Sequence, residues 1–204
     1  MSIYQLKTSF QNLLRPICKK LAEKGVTANQ VTVAAMILSL LGGFFIYLKP
    51  ASLLPLILLP IILFVRMGLN AIDGMLAREH DMKSDLGAIL NELGDVVSDT
   101  VLYLPLALVP TINAYLIIAI VIVALLTEMI GVIAIQIGAS RRYDGPMGKS
   151  DRAFVLGALA LLIGVGWLSS VTWINTILWI VLILTTVTIF NRASKALTEA
   201  TDAK

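Results

Sequence analysis

Cysteine and histidine are nearly absent from this chain: Cys18 and His80 are the only representatives. One cysteine excludes a disulfide framework within the chain, and one histidine beside it leaves no zinc signature. Charge is scarce as well, at 14% of 204 residues against 58% hydrophobic residues, which excludes an ordinary soluble domain. Internal repeats and low-complexity linkers are missing, so one domain covering 1–204 is expected. No short apolar segment with a cleavage site opens the sequence, and the first long apolar run begins at Val31, so a secreted product is not expected.

What is present is apolar sequence in long blocks. Six spans are predicted, at about 31–49, 52–77, 86–109, 112–139, 153–169 and 173–191, each near the ~20 residues a helix needs to cross the hydrocarbon core. The fold class is therefore an all-α integral membrane protein, with six transmembrane helices forming a bundle over 31–191. Residues 1–24 differ. Ile3, Leu6, Phe10, Leu13, Leu14, Ile17 and Leu21 recur at helical spacing between Lys7, Gln11, Arg15 and Lys19, the pattern of an amphipathic helix lying in the membrane interface. Gly25 ends it, and Thr27 or Asn29 is placed to cap the first span. Pro105 and Pro110 mark a kink and then the end of the third span. Trp167 and Trp173 flank the turn between the last two spans, where an interfacial aromatic belt is expected.

Charge sets the orientation. Lys7, Arg15, Lys19, Lys20 and Lys24 precede the first span, Arg78 and Lys83 follow the second, Arg141, Arg142, Lys149 and Arg152 follow the fourth, and Arg192, Lys195 and Lys204 close the chain. The opposite loops hold only Lys49. By the positive-inside rule both termini face the cytoplasm, in the inner (cytoplasmic) membrane. The net charge of +3 suits an anionic leaflet and is no argument for nucleic acid.

Topology does not explain the polar residues of 66–99. Buried carboxylates beside a bilayer are costly and are functional candidates by default. Asn70 and Asp73 are three apart, and Asn91, Asp95 and Asp99 four apart, so each set shares one helix face. Asp95 lies roughly 15 Å along the axis from Asp85, so a pocket bounded by Asn70, Asp73, Asn91 and Asp95 would open to the cytoplasm and reach acyl-chain depth. Gly74, Ala77, Gly87 and Ala88 let a bulky ligand approach. Carboxylate and amide oxygens suit Mg²⁺, Mn²⁺ or Ca²⁺, and Arg78 offers a forked phosphate donor. The competing reading is that these groups pair with each other and with Arg66, one turn before Asn70, without any metal.

The same residues resemble the signature of the CDP-alcohol phosphatidyltransferase family: D-x-x-D-G-x-x-A-R, eight residues, then G-x-x-x-D-x-x-x-D. Asn70, Asp73, Gly74, Ala77, Arg78, Gly87, Asn91 and Asp95 match its spacing at every position, and six of the eight match in type. The resemblance implies a reaction in which CDP-diacylglycerol gives its phosphatidyl group to a small alcohol, a phosphorylated polyol among the candidates, and releases CMP. It further implies one or two Mg²⁺ or Mn²⁺ ions on Asn70, Asp73, Asn91 and Asp95, with Asp95 also the base. Asn29, Thr32, Asp73, Gly74, Ala77, Arg78, Ser84 and Gly87 would contact the CDP-lipid, and a homodimer would form. Two signature aspartates are Asn70 and Asn91 here, so four formal charges fall to two and divalent-metal binding weakens. Asp99 or Asp85 could compensate.

Arg141, Lys149 and Arg152 could bind a phosphorylated acceptor; positive-inside topology, with Ser150 capping the fifth span, is the equal alternative. Glu128 and Gln136 could line an acceptor cavity. His80 is expected to be solvated, and Cys18 inert beside the interface. Two other classes compete with an enzyme: a non-catalytic CDP-lipid binder, and a small transporter or scaffold. The almost purely aliphatic outer halves of the spans argue against a conduction path. On the orientation read from charge, a green fluorescent protein fused to either terminus fluoresces, whereas alkaline phosphatase fused there is inactive in an intact bacterium; active phosphatase at both ends would invert the topology.

Overall fold

The computed structural model describes residues 3–202, with side chains from Ser9 onward. Lys204 and the side chains of Ile3, Leu6 and Lys7 lie outside the described residues. The described chain forms seven α-helices and no strand: α1 (Ile3–Glu23), α2 (Ala28–Leu48), α3 (Leu53–Glu79), α4 (Asp85–Tyr103), α5 (Ala114–Gln136), α6 (Lys149–Gly164) and α7 (Val171–Asp202). Helices satisfy their own backbone hydrogen bonds, which is what long apolar sequence in lipid requires. Four of them, α2, α3, α5 and α7, are long and apolar enough to cross a membrane.

The two remaining expected spans are α4 and α6. The α-helix that begins the third one stops at Tyr103, short of 109, and tightens into a 3₁₀ segment over Leu104–Leu108. Pro105 is the reason, since its ring removes a backbone donor. Helix α6 has only 16 residues, from Lys149 to Gly164, so it rises ~24 Å. It ends at a turn in which Gly166 adopts φ +78°, and the exposed Trp167 and Trp173 flank this turn as expected. Its start corrects the expected cap. Gly148 precedes the helix and its N–H donates to Asp151 Oδ2 at 2.9 Å, so Ser150 already lies within the first turn.

The chain divides into two compact units. The first comprises the chain up to Gly42 together with Ile61–Asp99. Its core joins Cys18 of α1 to Ala28 and Val31 of α2 and to Ile72, Met75 and Leu76 of α3, with Leu14, Leu21 and Ala22 packed against them. Cys18 is therefore a core residue at 1% exposure, where an interfacial position was expected. The apolar pattern of α1 is shared between two surroundings. Leu14 and Leu21 face the core, whereas Leu13 and Ile17 are exposed. A bidentate pair, Arg15 Nη2 and Nε to the Glu79 carboxylate at 2.9 and 3.1 Å, ties α1 to the last turn of α3.

The second unit comprises Gly43–Pro60 and the chain from Thr100. Helix α5 buries Leu116, Ile117, Ile120, Val121, Ala124, Thr127, Gly131 and Ala134, a stripe at 3–4 spacing. It packs on the corresponding stripe of α7, which includes Ile174, Leu178, Val181, Thr185 and Thr188. Asn113 caps α5, its Oδ1 accepting from the Tyr115 and Leu116 N–H groups.

Gly43 shows how tightly this unit is built, because a Cβ there would run into the Val101 carbonyl oxygen. Backbone cannot swing aside as a long side chain can. Gly43→Ala is expected to cost about 1–3 kcal/mol, the overpacking range. Gly68→Ala, where a Cβ meets nothing within 4 Å, is expected to be neutral within about 0.5 kcal/mol. Thermal unfolding of the purified protein in detergent compares the two, and equal melting points would contradict the close approach.

Candidate functional site

The inner turns of three helices of the first unit build a cavity of ≈ 380 Å³. The start of α2 is set by a reciprocal cap: Gln30 N–H donates to Thr27 Oγ1 at 3.3 Å, and Thr27 N–H to Gln30 Oε1 at 3.0 Å. Thr27, of the two candidates, is thus the cap. Asn29 and Thr32 then reach different partners. Asn29 Nδ2 donates to Ser84 Oγ at 3.3 Å, and Thr32 Oγ1 lies 2.8 Å from Asp73 Oδ2. Ser84 also accepts the Gly87 N–H at 3.0 Å, which caps α4. Gly87 is glycine for a local reason: a Cβ there would lie 2.7 Å from Asn29 Oδ1.

All eight residues expected to contact the CDP-lipid line this cavity: Asn29, Thr32, Asp73, Gly74, Ala77, Arg78, Ser84 and Gly87. Asn91 lines it too, together with Ala28, Met82, Lys83 and Ala88. Asp73 is only 5% exposed, whereas Arg78, Lys83 and Asn91 are exposed. The charge at the mouth is therefore solvent-exposed and cationic, and the carboxylate beneath it is held by Thr32. His80 is half-buried in the following loop.

Asn70 and Asp95 do not line the cavity. They belong to a second network, in which Asn70 Nδ2 donates to Asp95 Oδ1 at 3.0 Å. Arg66, 3% exposed, extends its fork across the same group. Nη1 meets Asp99 Oδ1 at 2.5 Å, and Nη2 lies 3.2 Å from the Asp95 carbonyl oxygen and 3.5 Å from its Oδ1. The pairing with Arg66 that competed with metal binding is thus present for Asp95 and Asp99. Asp99 is ion-paired, and Asp85 is exposed at the first residue of α4.

The second unit holds a cluster around Glu128. Arg152 Nη2 and Arg192 Nη1 lie 3.1 and 3.4 Å from its Oε1, and Arg141 Nη2 lies 3.4 Å from its Oε2. Arg152 and Arg192 are 1% and 2% exposed. Three guanidiniums thus meet one carboxylate, an excess of positive charge. Lys149, half-buried, opens α6 one turn before Arg152. Gln136, expected beside Glu128, is instead exposed at the end of α5, because α5 turns it off the packed stripe.

A model of the CDP-alcohol phosphatidyltransferases matches residues 25–187. The chain belongs to this family. It is 50% identical over 165 residues to the Escherichia coli inner membrane protein YnbA, covering 81% of this chain and 82% of that protein. It is 34% identical over 104 residues to an archaetidylinositol phosphate synthase of Pyrococcus horikoshii, 51% of this chain and 53% of that one. Its fold is similar to that of the phosphatidylinositol phosphate synthase PgsA1 of Mycobacterium tuberculosis, with a TM-score of 0.76 at 18% identity over 90% of this chain and 92% of that one for the structure with CDP-DAG bound. A structure of the same enzyme in complex with manganese and citrate gives the same TM-score, covering 90% of this chain and 88% of that one.

The family's metal chemistry makes the donor set worth testing against this geometry. Among the described residues, no three His, Cys, Asp or Glu side chains are placed to hold one ion. Asn70 turns its amide hydrogens, which cannot ligate a cation, toward Asp95. Asp95 already faces a guanidinium. These residues do not fit a two-ion cluster.

The sequence reading missed Arg192 as anything beyond a topological charge. Its signal was position: it lies on the α7 stripe in register with Thr185 and Thr188. Arg142, by contrast, is structural, paired with Asp144 and Glu199. Burial of Asp144 would raise its pKa, but hydrogen bonds from Lys195 and Arg142 outweigh this and hold it below the ordinary carboxylate range. A carboxylate with a lowered folded pKa contributes stability above its unfolded pKa of ~3.9 and loses it as pH falls through the folded value. Asp144→Asn is therefore expected to melt below wild type at pH 7, with the gap closing below about pH 4. A gap that is constant with pH would remove the charge interaction as its cause.

Proposed function

We propose that this chain transfers a phosphatidyl group from CDP-diacylglycerol to an alcohol and releases CMP, at the cytoplasmic face of the inner membrane. The observation that carries the reading is the single cavity lined by all eight residues that the family signature and its lead-in segment assign to the CDP-lipid. In this reading the six expected spans form one membrane domain over 1–204, with α1 at the interface through its exposed Leu13 and Ile17, and two copies of the chain form a dimer.

The chemistry follows from the groups present. The cytidine end sits between Asn29, Ser84 and Gly87, which are already mutually positioned. Arg78, with Lys83 at the same mouth, holds the pyrophosphate oxygens. The acceptor hydroxyl oxygen attacks the lipid-bearing phosphorus, the phosphoanhydride bond breaks, and CMP leaves with its electrons. Asp95 takes the hydroxyl proton. Asp73 and Asn91 share the cavity lining and would be the oxygen donors for a single Mg²⁺ or Mn²⁺, which would neutralise pyrophosphate charge when bound. Arg141 and Arg152, whose guanidiniums with Arg192 outnumber the Glu128 carboxylate, bind a phosphorylated acceptor together with Lys149 at the start of α6.

One observation favours a second reading, a CDP-lipid binder without turnover: Asp95 is engaged by both Asn70 and Arg66. Incubation of the purified protein with CDP-diacylglycerol, Mg²⁺ or Mn²⁺ and a panel of alcohols and phosphorylated polyols separates them. CMP release is expected with at least one acceptor and falls on the order of 10²-fold or more in Asp95→Asn. No CMP above that variant with any acceptor establishes the binder.

A further inference from the structure

Arg66 is a fully charged side chain inside an apolar helix, and no signature position accounts for it. It lies four residues before Asn70 and seven before Asp73, on the same face of α3. Its partners, Asp95 and Asp99, are one turn apart on α4. Two carboxylates this close in a poorly solvated site repel each other and require a cation. A guanidinium meets that need permanently, since it does not deprotonate in proteins.

The charges make the consequence definite. With aspartate at all four signature positions the set carries four negative charges, the complement of two divalent ions. Here Asp73 and Asp95 carry two, and Asp99, which shares Arg66 with Asp95, brings one more that the Arg66 charge offsets. Two divalent ions added to that set would leave a net positive charge of two in a partly desolvated pocket, which is unfavourable. Hydrogen-bond polarity points the same way, because Asn70 presents N–H groups, the donors that suit a carboxylate already neutralised from its other side.

We propose that Arg66 is a resident cation occupying, at Asp95 and Asp99, the electrostatic role of a metal ion, so that this chain binds at most one divalent ion. This deepens the phosphatidyl-transfer reading and rests on it only for the identity of the site. The asparagines at 70 and 91 are then the partners of an arginine in a rebalanced site.

The test is a titration of the full-length protein in detergent micelles with Mn²⁺ alone, free ion being followed by electron paramagnetic resonance. Wild type is expected to bind no more than one Mn²⁺ per chain. Arg66→Gln is expected to bind Mn²⁺ at least tenfold more tightly, and Arg66→Lys to keep the wild-type count and affinity. Two Mn²⁺ on wild type, or equal affinity in wild type and a folded Arg66→Gln, overturns the proposal. Should Arg66→Gln not fold, Arg66→Met supplies the same affinity comparison, and a wild-type count of two still overturns the proposal. CMP release is scored separately, so a chain that turns over nothing yet shows these counts defeats the enzyme reading and leaves the resident cation in place.

Discussion

The cost of an ionised carboxylate in a low-dielectric surrounding is the constraint on which the rest of this structure depends. Asp73, Asp95, Asp99 and Glu128 all sit on largely apolar helices, and none is left to bear that cost alone. Asp73 has the Thr32 hydroxyl, Asp95 and Asp99 share Arg66, and Glu128 is met by three arginines. Each pairing joins segments far apart in sequence, so electrostatic compensation also fixes which helices lie side by side within each unit. Leaving one partner out would strand a buried charge, which is why such networks are kept whole or lost whole.

The two polar centres of the chain solve the same problem with opposite signs. In the cavity of the first unit the carboxylate, Asp73, is deep and the cations, Arg78 and Lys83, are at the exposed mouth. Around Glu128 in the second unit the cations are buried and outnumber the acid. In the proposed reading the nucleotide diphosphate meets the first arrangement, with the exposed cations at its mouth. The proposed phosphorylated acceptor would meet the second, where Arg152 and Arg192 are already buried against Glu128.

Helix geometry made much of this legible in advance. A polar pocket could be read from spacing because Asp73, Gly74, Ala77 and Arg78 lie on adjacent turns of one helix, whereas their assignment to the CDP-lipid together with Asn29, Thr32, Ser84 and Gly87 was carried by the family resemblance. The ends of helices were legible where a side chain encodes them, as at Thr27 with Gln30, and illegible where backbone geometry does, as at Gly148, where the cap is completed by Asp151. The side of α1 on which Cys18 and Leu14 pack against α2 and α3 was not legible, because an amphipathic stripe looks the same whether it meets lipid or a neighbouring helix.

By itself the sequence determined the class, the apolar segments, the spacing of the polar ones and the loss of two negative charges at positions 70 and 91. Those are local properties, set by residue type and by the 3.6-residue period. Only the tertiary structure decided which groups pair: that Arg66 reaches Asp95 and Asp99, that Asn70 and Asp95 stand off the cavity, and that Arg192 joins Arg141 and Arg152 on Glu128. The physical reason is range. Ion pairs and hydrogen bonds act over a few ångströms in space between residues dozens of positions apart, and no period along the chain records which of several available partners will be within that distance.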